Sequence, residues 1–406
     1  MSLSKPKYTP SYDFPEEILS EIFKRLPVKS VLRCGAVQKS WYHIIKSRMF
    51  VTLHLNHQKL TAHDNPRYLL FHNINTHMFT VYSDDDQFQE YCSVEYPFDF
   101  DINEWYALST GLVCVSSMAF RKPNYDPNLY IWNPLVQIYT PLGVSPLSVF
   151  TNEEIVWMGL CFGYLPEVDD YVVVNVVKLD PDPADPDDPD SPDPYEFDPH
   201  TAVIGVYSLK TRSWKAIYQD DFLIFGMCTD QSVFVNGTAF WVATDFDQQY
   251  IMYFNTRTEV LRRILVPDWF GLQDRQLDYP VFHQFGQSIA YFVLNDESRH
   301  LDIWVLKEDE IDVFSWEKLM SVDLSENVRA DVLGLRNSGE PILTKSNNLI
   351  SYDLDTHEPY DFISSCDCLT LNFSYKKGSK PPFIIKPFVE TLLWRDKRKC
   401  IALGTC

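Results

Sequence analysis

Six times along the chain one short pattern returns: an apolar strand, a polar turn, then a second strand with an aromatic or aliphatic centre. The copies are LLFHNINTHMFTVY (69–82), YIWNPLVQIYTPL (130–142), VYSLKTRSWKAI (206–217), MYFNTRTEVLRRI (252–264), DIWVLKEDEIDVFSWEKL (302–319) and ISYDLDTHEPYDFI (350–363). The last four follow one another at nearly even intervals, and the earlier ones are more widely set. Each copy after the first follows a further apolar run: GLVCVSS, YVVVNVVKL, GTAFWVAT, SIAYFVLN or PILTKSNNLI. A four-stranded unit returning at roughly the 40–50-residue period of propeller repeats suits a β-propeller of about six blades. The run PPFIIKPFVETLLW (381–394) is a candidate for the strand that closes the ring. A β-sandwich with irregular insertions is the alternative. Neither a kelch double glycine nor a WD dipeptide signature is present, and the chain holds only 14 glycines. Trp132, Trp214, Trp241 and Trp304 sit at strand positions and read as blade core. Asn236-Gly237 reads as a hairpin turn rather than a glycosylation site.

The N-terminal segment, up to Leu60, has a different texture. DFPEEILSEIFKRLP places Ile18, Leu19, Ile22, Phe23 and Leu26 on one broad helical face, with Asp13 as the expected cap and Pro27 as the stop. A second stretch, VKSVLRCGAVQKSWYHIIKS, groups Val28, Val31 and Leu32, then Val37, Trp41, Ile44 and Ile45, with Gly35 expected to break it. About three short helices result. So small a unit hides too little apolar surface by itself. Its surplus face must pack on the rest of the chain or on a partner.

Charge separates the same two parts. Residues 1–60 hold 10 Lys/Arg and 4 Asp/Glu, a balance of +6, whereas the remainder holds 25 and 52, or −27. An acidic body is unlike a nucleic-acid binder and favours a basic or neutral partner. No apolar run is long enough to span a membrane, and MSLSKPKYTPSYD lacks the core of a secretory signal. Nine thinly scattered cysteines form no disulfide framework and fit reduced thiols in the cytoplasm or nucleus.

Two resemblances sharpen this. Phe14-Pro15-Glu16-Glu17-Ile18-Leu19, Arg25-Leu26-Pro27-Val28-Lys29-Ser30-Val31-Leu32-Arg33 and Lys39-Ser40-Trp41 together resemble the F-box of plant F-box proteins. Phe14 stands where Leu is usual, and Gln38 where Cys is common. The body segments GLVCVS, IWNPLVQIYTPLG, CFGYLPEVDDYVVVNVV and VYSLKTRSWKAI resemble that family's associated domain, of the kelch-like type, with Val172 in place of the usual Lys. The narrower likeness is to S-locus F-box-like proteins. The implied architecture is mainly β: a disordered N-terminus at 1–10, an F-box at 11–58, a propeller at 65–395 and a C-terminal tail at 396–406.

The resemblance implies that the F-box docks on the Skp adaptor of a Skp–cullin–F-box ubiquitin ligase. Phe14, Pro15, Ile18, Leu19, Ile22, Leu26, Pro27, Val28, Val31, Leu32, Val37 and Trp41 would be the adaptor-binding residues, in helix-in-groove recognition. The propeller would hold a target protein, of the secreted-type ribonuclease class if the S-locus likeness applies. No cofactor, metal site or catalytic group is expected. There is no G-x-S-x-G, Walker or G-x-G-x-x-G motif. CDC at 366–368 has the wrong spacing for zinc, and HLNH at 54–57 has no second pair. Two other classes stay open: a propeller enzyme or sugar-binding module, with convergent His, Asp and Glu at the ring's mouth, and a non-degradative F-box scaffold.

One segment stands apart. DPDPADPDDPDSPDPYEFDP, 180–199, carries eight Asp, one Glu and no basic residue, and its prolines exclude helix and sheet. It reads as an insertion between two strands of one blade. Asp180, Asp182, Asp185, Asp187, Asp188, Asp190 and Asp193 belong either to a solvated loop or to a contact site for a basic target.

Overall fold

The computed structural model describes residues 14–64, 68–73, 78–85, 88–98, 105–109, 111–117, 128–149, 155–179, 200–222, 228–244, 249–267, 281–295, 300–310, 313–324, 328–345, 348–354, 356, 358–361, 383–388, 391–392 and 401–402. Four helices come first: α1 (Glu16–Phe23), α2 (Val28–Val37), α3 (Lys39–Lys46) and α4 (Arg48–Asp64). The periodicity suggests about three. The fourth escapes it because RMFVTLHLNHQKLTAHD mixes Phe50, Val51 and Leu55 with the buried His54, so its inner face is only partly apolar.

Local details also differ from expectation. Asp13 lies outside the described residues; Pro15 occupies the N-cap of α1, and no side chain caps it. The first helix ends at Phe23, and Pro27 instead opens α2 from its N-cap. Gly35 does not break α2. The helix runs through it to Val37, and the turn comes at Gln38, which is extended at φ −147°. At Gly35 the helix packs on Tyr42 and Ile45 of α3, a tertiary contact that overrides a propensity cost of about 1 kcal/mol.

The remaining described elements form six sheets in a ring. Blade 2 comprises β4 (Trp105–Ser109), β5 (Leu112–Ser117), β6 (Asn128–Asn133) and β7 (Ile138–Pro141). Blade 3 comprises β8 (Ile155–Leu165), β9 (Asp170–Leu179), β10 (His200–Ser208) and β11 (Ser213–Phe222). Blade 4 follows with β12 (Cys228–Val235), β13 (Thr238–Thr244), β14 (Gln249–Asn255) and β15 (Val260–Leu265). Blade 5 has β16 (Val281–Phe285), β17 (Ser288–Asn295), β18 (His300–Glu310) and β19 (Val313–Asp323). Blade 6 has β20 (Val328–Leu335), β21 (Pro341–Lys345), β22 (Asn348–Tyr352) and β23 (Pro359–Asp361).

Blade 1 is built from both chain ends. Its β1 (Tyr68–Asn73), β2 (Met78–Ser83) and β3 (Glu90–Glu95) are joined by β24 (Phe383–Phe388), which pairs antiparallel with β1. The run at 381–394 therefore closes the ring as its sequence suggests. This also explains why the first hairpin lacks a preceding strand: its innermost strand arrives last. A short β25 (Ile401–Ala402) adds to the outer edge of blade 2.

Buried residues divide into apolar clusters between neighbouring blades. Along β13, Ala239, Trp241 and Ala243 face blade 3, while Phe240 and Val242 face blade 5. Along β17, Ile289, Tyr291 and Val293 face blade 4, while Ala290 and Phe292 face blade 6. Such strands are covered on both faces, so they read as continuous apolar runs rather than alternating ones. This arrangement excludes the sandwich alternative. Trp132 and Trp241 are fully buried, as expected of blade core. Trp214 and Trp304 are half-buried against it.

The repeated polar turn has a common geometry. Asn133 Oδ1 accepts the Leu135 N–H at 3.0 Å, Ser208 Oγ accepts that of Thr211 at 3.0 Å, and Asn255 Oδ1 accepts that of Arg257 at 2.9 Å. Four residues after each, Gln137, Arg212 and Glu259 adopt positive φ of 52°, 59° and 58°. A side-chain acceptor at the strand end and a left-handed fifth residue form one turn, used three times. Asn236 has φ 51 and Gly237 has φ 76, both left-handed, which is the geometry of the expected tight hairpin.

A buried ion pair fastens blade 6 to blade 1. Arg336 Nε donates to Asp84 Oδ1 at 2.6 Å, and the Asn337 N–H and Nδ2 donate to Asp84 Oδ2 at 2.9 and 2.7 Å. Asp84→Ala is expected to destabilise the fold by about 1–3 kcal/mol, because it leaves the Arg336 guanidinium with Glu340 alone, at 3.3 Å, and strands the Asn337 donors. Urea unfolding of the two forms checks this, and Asp84→Asn should recover part of the loss.

Candidate adaptor-docking face and axial cavity

The strands of each blade alternate in direction, so two ends of the ring are distinct. The turns at Asn133–Gln137 and Asn236-Gly237 open on one end. The helical head packs on this end. Leu135, Val136 and Leu392 join Leu19, Phe23, Val28, Val31, Ile44, Ile45, Phe50 and Val51 in one core. Lys29 Nζ donates to the Tyr91 carbonyl at 2.7 Å, and Asn133 Nδ2 to that of Thr391 at 2.9 Å. Part of the head's surplus apolar surface is thus buried against its own chain.

That packing splits the twelve residues expected to bind an adaptor. Leu19, Val28 and Val31 are buried in the shared core, with Val28 and Val31 at 0% exposure, and cannot be surface anchors in this arrangement. Leu26, Leu32 and Trp41 are half-buried against it, and Trp41 meets the Phe23 ring edge-on at 5.2 Å. Pro27 is also half-buried, whereas Pro15 is exposed. Phe14, Ile18 and Ile22 are 56%, 46% and 48% exposed, and Val37 is exposed at the end of α2. Ile18 and Ile22 lie at i and i+4 on the outer side of α1, and Phe14, just before its N-cap, adds to the exposed apolar surface.

His54 is structural. Its Nε2 lies 3.0 Å from the Leu26 carbonyl and ties α4 to the bend between α1 and α2. Burial holds its pKa below the usual imidazole value. Among the described residues no group of three His, Cys, Asp or Glu is arranged to hold a metal, and no helix is long and apolar enough to cross a membrane. Cys366, Cys368 and the seven aspartates from Asp180 to Asp193 lie outside the described residues. The strand ends Leu179 and His200 that bracket the acidic segment sit at the end of the ring opposite the head.

Sequence reasoning missed the axis. A cavity of about 530 Å³ opens among the inner strands, lined by residues that include Ser232, His283, Lys386, Glu167 and Tyr164. These come from four different blades, so no local motif could have announced them. Lys386 Nζ donates to the Ser232 carbonyl at 3.2 Å. Burial lowers the His283 pKa to about 3, helped by the charge of Lys386.

Comparison with known proteins agrees with this architecture. The family described as "F-box associated beta propeller domain" matches residues 92–392, and an F-box-like family matches residues 12–55. The chain belongs to the F-box-associated β-propeller family. Among relatives of this F-box family, an F-box/kelch-repeat protein of Arabidopsis thaliana is 25% identical over 325 residues, covering 77% of this chain and 80% of the relative. The Arabidopsis thaliana F-box protein CPR1 is 26% identical over 370 residues, covering 84% and 82%. A solved oligogalacturonate lyase of Vibrio parahaemolyticus overlays 72% of this chain and 78% of its own at 10% identity and a TM-score of 0.37. So loose an overlay says nothing of activity.

The depressed His54 pKa gives a pH signature for the F-box head. Above about pH 6.5 the ring is neutral in both states and the Leu26 contact is intact. As pH falls below that value the unfolded chain takes up a proton that the folded one refuses, so stability declines. Thermal unfolding from pH 7.5 to pH 5 should show a steeper loss for the parent than for His54→Asn, at up to about 1.4 kcal/mol per pH unit.

Proposed function

We propose that this F-box protein is the substrate receptor of a Skp–cullin–F-box ubiquitin ligase, acting in the cytoplasm or nucleus. The observation that carries the reading is the outward apolar surface of Phe14, Ile18 and Ile22 on a head whose opposite face is already packed on the propeller. An exposed apolar helix face with i, i+4 spacing is what helix-in-groove docking uses. Pro15, Val37 and the outward edges of Leu26, Pro27, Leu32 and Trp41 would border the contact. Leu19, Val28 and Val31 would support it from beneath.

Such a receptor performs no bond chemistry. It holds a target lysine near a charged conjugating enzyme and so replaces a bimolecular encounter by a tethered one. The head's seat on the ring suits that task, since it holds adaptor and target in a set geometry. The target would be a basic protein, of the secreted-type ribonuclease class on the S-locus likeness. The balance of −27 outside residues 1–60 supports this. Asp180 to Asp193 would contact it from the end of the ring opposite the head.

Changing Ile18 and Ile22 together to Ala tests adaptor docking without touching the shared core. Affinity for a Skp adaptor should drop by about tenfold to a hundredfold, or roughly 1.4–2.8 kcal/mol. The melting temperature should hold. Unchanged binding by calorimetry would refute the docking face. Leu26→Ala is the poorer test, because that side chain also packs on the head.

The acidic segment is tested separately. Deleting residues 180–198 should leave adaptor binding intact and slow capture of a basic target, most strongly at low salt. The screening length is about 30 Å at 0.01 M against about 8 Å at 0.15 M, so steering fades across that range. Coincident association rates for the two forms at every ionic strength would mean a solvated loop only.

A further inference from the structure

The axial cavity holds a combination of groups that protein folding alone does not call for. Lys386, on the innermost strand β24, has one hydrogen bond among the described residues, to the Ser232 carbonyl. Of the cavity's lining residues Glu167 is the carboxylate, and it is paired with Arg257 at 3.3 Å. Among the described residues the ammonium therefore has two N–H donors left over and no counter-charge. Burial lowers its pKa, a sign of how poorly the site itself supports the charge. A cation with restricted access to water and no counter-charge is costly to keep.

Two further polar atoms in the same lining lack partners among the described residues. His283 and Ser232 are 7% and 5% exposed, and His283 Nε2 and Ser232 Oγ make no hydrogen bond. The group beside Ser232 Oγ is the Cys161 thiol, a weak hydrogen-bond partner. His283 is hydrogen-bonded to the Val332 backbone through its other ring nitrogen. Since that bond uses the ring N–H on a carbonyl, Nε2 of the neutral imidazole is an acceptor. The cavity thus presents a half-buried cation beside a buried hydroxyl and a buried neutral acceptor. Such unsatisfied groups are rare in folded interiors and call for a reason.

We propose that this cavity binds a small hydroxylated carboxylate. The carboxylate would take the two remaining N–H donors of Lys386 and the Ser232 hydroxyl, and a ligand hydroxyl would donate to His283 Nε2. Charge selects the class: one ammonium neutralises one carboxylate, whereas a phosphate monoester would bring a second negative charge with no second cation to meet it. Volume agrees, because about 530 Å³ lies within the usual range of small-molecule sites. The remaining lining offers further polar side chains, among them Gln284 and Gln287. No adaptor is involved, so the site is tested apart from the docking face.

Calorimetric titration of the full chain with lactate and gluconate tests this. Controls are glucose, which has hydroxyls without charge; hexanoate, which has charge without hydroxyls; and inorganic phosphate. At least one hydroxy acid should bind saturably, and about tenfold more tightly than any control. Lys386→Met should lose about tenfold or more while melting no lower than the parent, since it removes a half-buried cation without a counter-charge. His283→Phe should abolish the preference for the hydroxy acid over hexanoate; Ser232→Ala is the milder variant should that protein fail to fold, and it should weaken hydroxy-acid binding. The proposal is overturned if neither hydroxy acid binds, if phosphate binds more tightly, or if Lys386→Met binds as the parent does.

Discussion

The pairing of β24 with β1 is the contact on which the rest of the molecule depends. Five blades are continuous in sequence, apart from one added edge strand, but a ring of six has no ends only once the last inner strand lies beside the first hairpin. Bringing those ends together across roughly 300 residues costs about 5 kcal/mol in chain entropy beyond a constant. Burial of Ile385, Phe388 and Leu392 contributes about 1.5–3 kcal/mol each, enough to offset it. The junction is also packed tightly. A Cβ at Gly334 on β20 would fall 2.3 Å from the Ile385 carbonyl oxygen, so only glycine lets the two inner strands approach. The Asp84–Arg336–Asn337 network fastens the same seam at its rim.

Closing the ring also seats the head. Leu392 lies just past the closing strand and sits fully buried in the helical core, and the Thr391 carbonyl is held by Asn133 of blade 2. One short segment therefore seals blade 1, blade 2 and the helices together. The consequence for function is a fixed relation between the outer stripe of α1 and the propeller. For the receptor role proposed above such a seat would be useful, because a loose linker would dilute the effective concentration it provides.

The axis is where the regular repeat gives way. Inter-blade clusters are apolar, but the inner strands converge where no neighbouring blade can cover them. Side chains there face a shared cavity, and polar residues accumulate without being forced into pairs. Lys386, His283 and Ser232 each lie on an otherwise ordinary inner strand. Their chemistry comes from being brought around one axis.

Much of this is legible in the residues. Strands buried on both faces give runs such as YVVVNVV, and one turn chemistry recurs at Asn133, Ser208 and Asn255. Both features are local, so the blade count and the closing strand can be read without the structure. The helical head is equally plain, although α4 hides behind a mixed inner face and Gly35 misleads because α3 supports the helix that it should have broken. Sequence does not say which side of an amphipathic helix is already occupied. Leu19 and Ile18 are adjacent and equally apolar, yet one is buried in the shared core and the other exposed. That division is made by the core Leu19 enters, built from Ile44, Ile45 and Phe50 of the later helices together with Leu135, Val136 and Leu392 of the propeller, none of them on α1. The axial cavity is the extreme case, because its members share no segment and only ring closure makes them neighbours. Periodicity determines which residues can face a core; tertiary packing decides which core, and what is left facing outward.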